Sequence, residues 1–128
     1  MSEVARLARH EKRFPRATFA RKLQRICEAL DANAEAEVTS NLGRLKLTSR
    51  ARVVRVWVAG SFARGALDCG DLDLVLELQR IEGGLPRATE LARKLVGPLP
   101  YVSYYGGVPG DNSSGVAFPE AIEIWSGA

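Results

Sequence analysis

Histidine is almost missing from this chain: His10 is the single one among 128 residues, and cysteine occurs only as Cys27 and Cys69. That scarcity excludes a His-rich zinc site, a Cys-His protease and a Ser-His-Asp triad as bases for activity. The two cysteines lack metal-type spacing and read as free thiols in a reducing compartment. No apolar run approaches the roughly 18 residues of a membrane span. The first thirty residues carry charges where a signal peptide needs an apolar stretch. A cytoplasmic, soluble protein without a membrane partner is expected. There is no Gly-x4-Gly-Lys-Ser/Thr loop, no internal repeat and no low-complexity tract. What is present is ordinary for a folded protein, 46% hydrophobic and 26% charged. The length suits one domain over residues 1–128, with a helical N-terminal extension at 1–40 and a core at 53–125. Chemistry, if any, must rest on carboxylates.

Charge is distributed unevenly. Residues 1–55 hold 13 Lys/Arg against 6 Asp/Glu, and residues 56–128 hold 5 against 9. A basic leading half with helices at Arg6–Arg25 suits a polyanion such as RNA. Solvated helix faces produce the same tally and are the preferred reading. His10 then faces solvent on a basic helix.

Along the chain, Ser2 is expected to cap a short helix running to about Phe14, which Pro15 breaks. Phe19, Leu23, Ile26 and Leu30 recur at helical spacing from Ala17 onward, and the alanine- and glutamate-rich continuation extends the predicted helix to Val38. Thr39 to Gly43 reads as a connection, and residues 44–52 resist assignment. Val53 to Ala59 is dense in β-branched residues and predicts a buried strand with Trp57 in the core. A second strand is predicted from Asp71 to Leu78, with Leu72, Leu74, Leu76 and Leu78 on one face and Asp71, Asp73, Val75 and Glu77 on the other. A helix at Ala88 to Val96, a strand at Tyr101 to Val108 and a last strand at Ala121 to Trp125 complete the pattern. The expected architecture is α/β (α+β): a mixed sheet of about four to five strands with helices mainly on one face, preceded by N-terminal helices.

The informative stretch runs from Val58 to Leu74, VAGSFARGALDCGDLDL. A Gly60-Ser61 turn leaves one strand, and an Asp71-x-Asp73 pair opens the next. Carboxylates at i and i+2 of a strand share a face roughly 6.5–7 Å apart, a separation from which both can lean onto divalent ions. Magnesium takes such hard oxygen ligands and shares them with substrate phosphates. Gly60 lets backbone approach a phosphate, Ser61 offers hydroxyl and amide, and Arg64 lies three residues on, where it could neutralise a phosphate.

These residues, Gly60-Ser61-Phe62-Ala63-Arg64-Gly65 followed by Asp71-Leu72-Asp73-Leu74, resemble the signature of the minimal nucleotidyltransferases of the DNA polymerase beta-like superfamily. The resemblance is specific from about Val54 to Leu78, weaker to Trp125 and absent before residue 50. It implies Gly60 and Ser61 as phosphate contacts, Asp71 and Asp73 as ligands of two magnesium ions, and a third carboxylate from a later strand, assigned to Glu123. Gly70 stands where the family often has serine or threonine, and Glu123 where it often has aspartate. The implied activity is transfer of a nucleoside monophosphate, AMP from ATP, to an acceptor hydroxyl on a protein or small molecule. Small members of the family act as antitoxins that modify a partner toxin.

The plain alternatives are that Asp71 and Asp73 decorate an exposed strand, or that the fold is kept without activity as an RNA- or protein-binding scaffold. Glu77 reads as solvated or salt-bridged, Glu120 as a turn residue, and Cys69 as a small turn residue. Tyr101, Tyr104 and Tyr105 read as core or cross-strand packing rather than base-stacking residues. Unpaired strand edges make a homo-oligomer an open expectation, with no surface singled out.

Overall fold

The computed structural model describes residues 13–127. The predicted helix at 2–14, with His10, lies outside them but for its end, where Phe14–Pro15 forms a short strand, β1. Helix α1 follows at Arg16–Ala32 and buries Phe19, Ile26 and Leu30, the stripe its sequence period requires. It ends six residues before the expected Val38. Asn33 is extended and its N–H donates to the Ala29 carbonyl, and the chain then enters β2, Glu35–Leu42.

Strand β2 and the following β3, Leu45–Ala59, form a hairpin in unbroken register from Leu42 opposite Leu45 to Glu35 opposite Arg52. Gly43 at φ +62 opens the two-residue loop, the position where that turn geometry favours glycine. The Ala/Glu-rich run reads as helix by propensity, but tertiary pairing overrides it. Arg50 reaches Glu35 at 2.9 Å and Glu37 at 3.8 Å across the ladder, and Val38 is buried.

Beyond the hairpin come the four-residue helix α2 (Gly60–Ala63), β4 (Asp68–Cys69) and β5 (Leu72–Glu82). Helix α3 (Ala88–Val96), β6 (Val102–Val108), β7 (Asp111–Asn112) and β8 (Ile122–Ser126) complete the order. One six-stranded sheet runs β2-β3-β5-β6-β7, with β8 also on β3. Pairing is antiparallel except between β5 and β6, which α3 connects. Strand β3 carries β2 along its first half and β8 along its second, with β5 on the opposite edge. A separate ladder joins β1 to β4.

The expectation of four to five strands with helices mainly on one face is overturned. This is a mixed α+β fold dominated by its six-stranded sheet, with three helices among the described residues, one a single turn. The strands missed in that sheet are the hairpin's outer arm, β2, and the short β7, and the two-residue strands β1 and β4 of the separate ladder were missed as well. Of the expected N-terminal helices, α1 is the one within the described residues.

The core gathers Leu72, Leu74 and Leu76 of β5, Val53, Val56 and Val58 of β3, Phe19, Ile26 and Leu30 of α1, and Ala88, Leu91 and Ala92 of α3. Val54 is an extra residue in β3, since Val53 pairs with Leu78 and Arg55 with Glu77. Before it the odd-numbered residues face the core, and after it the even-numbered ones do. Trp57, expected in the core, therefore takes the opposite face with Arg55, because Val56 and Val58 occupy the inner one. No helix among the described residues is long and apolar enough to cross a membrane.

Candidate functional site

The face of the sheet opposite the leucines carries the acids. Alternation along β5 places Asp73, Val75 and Glu77 there, and register sets Asp73 beside Ala59, Val75 beside Trp57 and Glu77 beside Arg55. Strand β3 ends at Ala59, and the chain turns through Gly60 at φ +68, a backbone state that L residues rarely adopt. A Cβ at Gly60 would stand 2.5 Å from Asp73 Oδ2, so the turn and the second aspartate are in direct apposition. The sequence motif thus closes on itself in space, since β5 pairs antiparallel with β3 and begins where β3 ends.

The loop is held from beneath. Backbone N–H groups of Arg64, Gly65 and Ala66 donate to the carbonyls of Gly60, Phe62 and Ser61 at 3.1–3.2 Å. Arg16 of α1 stacks its guanidinium 3.7 Å above the Phe62 ring and donates to the Phe62 carbonyl at 2.7 Å and the Ala66 carbonyl at 3.1 Å. Cys69, buried opposite Phe14 in the β1–β4 ladder, belongs to the core rather than to a turn.

Of the expected site residues, Gly60, Ser61, Arg64, Asp71 and Asp73 gather at this end of the sheet. Glu123 does not. It sits opposite Trp57 on β8 and approaches Arg55 at 3.5 Å, with Glu77 at 3.8 Å on the same guanidinium. The reason is strand direction. β8 is antiparallel to β3, so its start meets the end of β3, and each later residue moves away from Gly60.

The acid that does arrive is Glu120, just before β8. The Gly60 N–H donates to its Oε2 at 3.0 Å, and Arg64 lies 4.0 Å from its Oε1. Tyr105 of β6 is the second residue the sequence reading missed. Its side chain lies beside Asp73 and favours the ionised carboxylate, and its ring lies 5.8 Å from Phe118. Tyr105 carried a signal, since it alternates with the inward-facing Tyr104, whereas the approach of Glu120 follows only from the antiparallel direction of β8.

Burial first, and then the charges of Asp71 and Glu120, push the Asp73 carboxyl above the ordinary carboxylate value of 3.8. The neighbouring Tyr105 and the Arg64 charge pull the other way without cancelling them. Crowded anions with little positive compensation suit a cation in kind, because every donor is a hard oxygen. No three carboxylate, histidine or cysteine groups among the described residues stand close enough to form a ready cage. Substrate and water oxygens would have to complete the shell.

The other tyrosines separate. Tyr104 packs inward beside Leu74, its hydroxyl buried without a partner and its pKa pushed up to about 12 by desolvation. Tyr101, at φ +61, lays its ring 4.8 Å from Phe14 and is 41% exposed. No family model, no curated protein and no solved structure matches this chain.

Proposed function

We propose that the chain is a magnesium-dependent nucleotidyltransferase that moves a nucleoside monophosphate, AMP from ATP, to an acceptor hydroxyl on a protein or small molecule. The observation that carries this reading is the apposition of Gly60 and Asp73, with the Glu120 carboxylate on the Gly60 amide. Resemblance of the Gly60-to-Leu74 motif supports it from sequence. A role as an antitoxin modifying a partner toxin is the setting that resemblance suggests, in the cytoplasm.

In this reading the Gly60 amide, now holding a Glu120 oxygen, is the donor a phosphate oxygen would take. Entry of the triphosphate tail frees Glu120, and Ser61 and Arg64 hold the phosphates. Asp71 and Asp73 would hold the metal ions, and Glu120, rather than Glu123, would supply the third carboxylate. Bound magnesium would offset phosphate charge and sharpen the acceptor oxygen as nucleophile. Tyr105 lies beside the Asp73 carboxylate and favours its ionised form, and Arg55 ties Glu77 and Glu123 down away from the reacting end.

The test is calorimetric titration of each ribonucleoside triphosphate into the wild type and the Asp71→Asn/Asp73→Asn double variant, with magnesium and with EDTA. Magnesium-dependent binding of one triphosphate that the double variant loses is the expected result. Absence of binding to all four refutes the stand-alone enzyme and leaves a scaffold.

A further inference from the structure

We propose that the outer edge of β2 is a self-association surface: two copies pair β2 with β2 in antiparallel about a two-fold axis at Thr39, merging their sheets. In the β2–β3 hairpin, Leu42 and Leu45 flank the two-residue turn and form a hydrogen-bonded pair, so the even-numbered residues of β2 turn their backbone groups toward β3. Glu37, Thr39 and Asn41 therefore direct N–H and C=O outward. Among the described residues nothing takes those groups, and all three side chains are exposed.

The other edges are blunted. The end of β6 is covered, since β7 pairs with Gly107 and Val108 and Ser113 bonds to Gly106 through both its backbone N–H and its hydroxyl, which leaves only the short stretch before Gly106 open. β8 is broken by the extra residue Ile124, since Val56 pairs with Trp125 and Trp57 with Glu123. β2 alone runs eight residues in regular register without proline, lysine or bulge, the features that ordinarily protect an edge.

Charge and shape favour a second copy as the occupant. Strand β2 is acidic where it begins, at Glu35 and Glu37, which Arg50 and Arg52 of β3 bridge from the inner side, and the hairpin is basic at its tip, at Arg44 and Lys46. Antiparallel pairing about Thr39 brings opposite charges together. Glu37 of one copy falls opposite Asn41 of the other, whose own neighbour is Lys46, and Glu35 falls opposite Gly43, next to Arg44. Between the two β2 strands no like charges face each other. The same register sets Leu42 beside Ala36 of the second copy, so the row Leu45–Leu42 continues into Ala36–Ala51. Leu42, 59% exposed in the single chain, gains an apolar neighbour. Three outward-facing pairs per interface supply about six new backbone hydrogen bonds.

Sedimentation equilibrium of the full chain is the test, with amide exchange at Glu37, Thr39 and Asn41 as a second readout. The expected result is a two-chain species whose formation slows exchange at those three amides. Thr39→Pro, which removes an outward N–H from an edge, should give a monomer with an unchanged circular dichroism spectrum. Should that variant misfold, Asn41→Glu decides: it gains Lys46 within its own hairpin but opposes Glu37 across the interface, and should weaken the dimer about tenfold or more. A wild type that stays monomeric up to about 0.5 mM overturns the proposal, as does a dimer that both variants leave intact.

Discussion

Replacing Gly60 by alanine perturbs the turn in two separable ways. The residue sits at φ +68, where an L side chain costs about 1–2 kcal/mol. Its new Cβ would also lie 2.5 Å from Asp73 Oδ2, while the Asp73 Cγ and Cβ atoms at 3.5 and 3.7 Å remain in ordinary contact. The carboxylate must therefore rotate, which costs about 0.5–1.5 kcal/mol in rotamer strain. Gly60→Ala should thus destabilise by about 1.5–3.5 kcal/mol in the wild type but by only about 1–2 kcal/mol in an Asp73→Ala background. Gly65→Ala is the control, since Gly65 is at φ +84 with nothing within 4 Å of a new Cβ. It should show the backbone cost alone and no coupling to Asp73. Urea denaturation of the four proteins of the cycle measures the interaction. An additive cycle, within about 0.5 kcal/mol, would refute the claimed contact between turn and aspartate.

Three further outcomes follow from the same structure. Asp73→Asn should stabilise the fold at neutral pH: because the native carboxyl binds its proton above 3.8, the wild type loses stability relative to the variant as pH rises through that raised value. Urea melts from acidic to neutral pH check this, and a variant less stable than wild type at pH 7 contradicts it. Leu91→Ala, at a fully buried position, should cost about 3–5 kcal/mol, whereas Leu67→Ala, 87% exposed, should stay within about 0.5 kcal/mol by the same assay. Glu120→Gln should weaken magnesium-dependent triphosphate binding about tenfold or more, while Glu123→Gln should leave it nearly unchanged; calorimetry giving the reverse order would restore Glu123 as the third acid.

The elements legible in the sequence are those whose local and tertiary preferences agree. The α1 stripe from Phe19 to Leu30, the leucine alternation of β5 and the helix at Ala88–Val96 each announce one face and bury it. The Gly60 turn and the aspartate pair were legible for the same reason, being joined by one short connection. The hairpin was not. Its outer arm has helix-favouring Ala and Glu, and its inner arm alternates Leu45, Leu47, Ser49, Ala51 and Val53 before the doubled valine breaks the count. Read with one extra residue at Val54, the segment that resisted assignment is continuous with the strand that followed. Glu120 escaped because an acid beside Pro119 looks like a surface turn until the direction of β8 is known.

Val54 also has a mechanical meaning. The strand on either side of it is numbered out of phase, yet the two faces remain aligned, because the extra residue is absorbed locally while pairing resumes at Arg55. Such a point is a slip joint. The half of β3 that carries the hairpin can be lengthened or shortened by a residue there without exchanging inside for outside in the half that ends at Gly60. Deleting Val54 should leave a regular strand with both faces intact, so that the reach of the hairpin and the chemistry at the far end of β3 can drift independently on one continuous backbone.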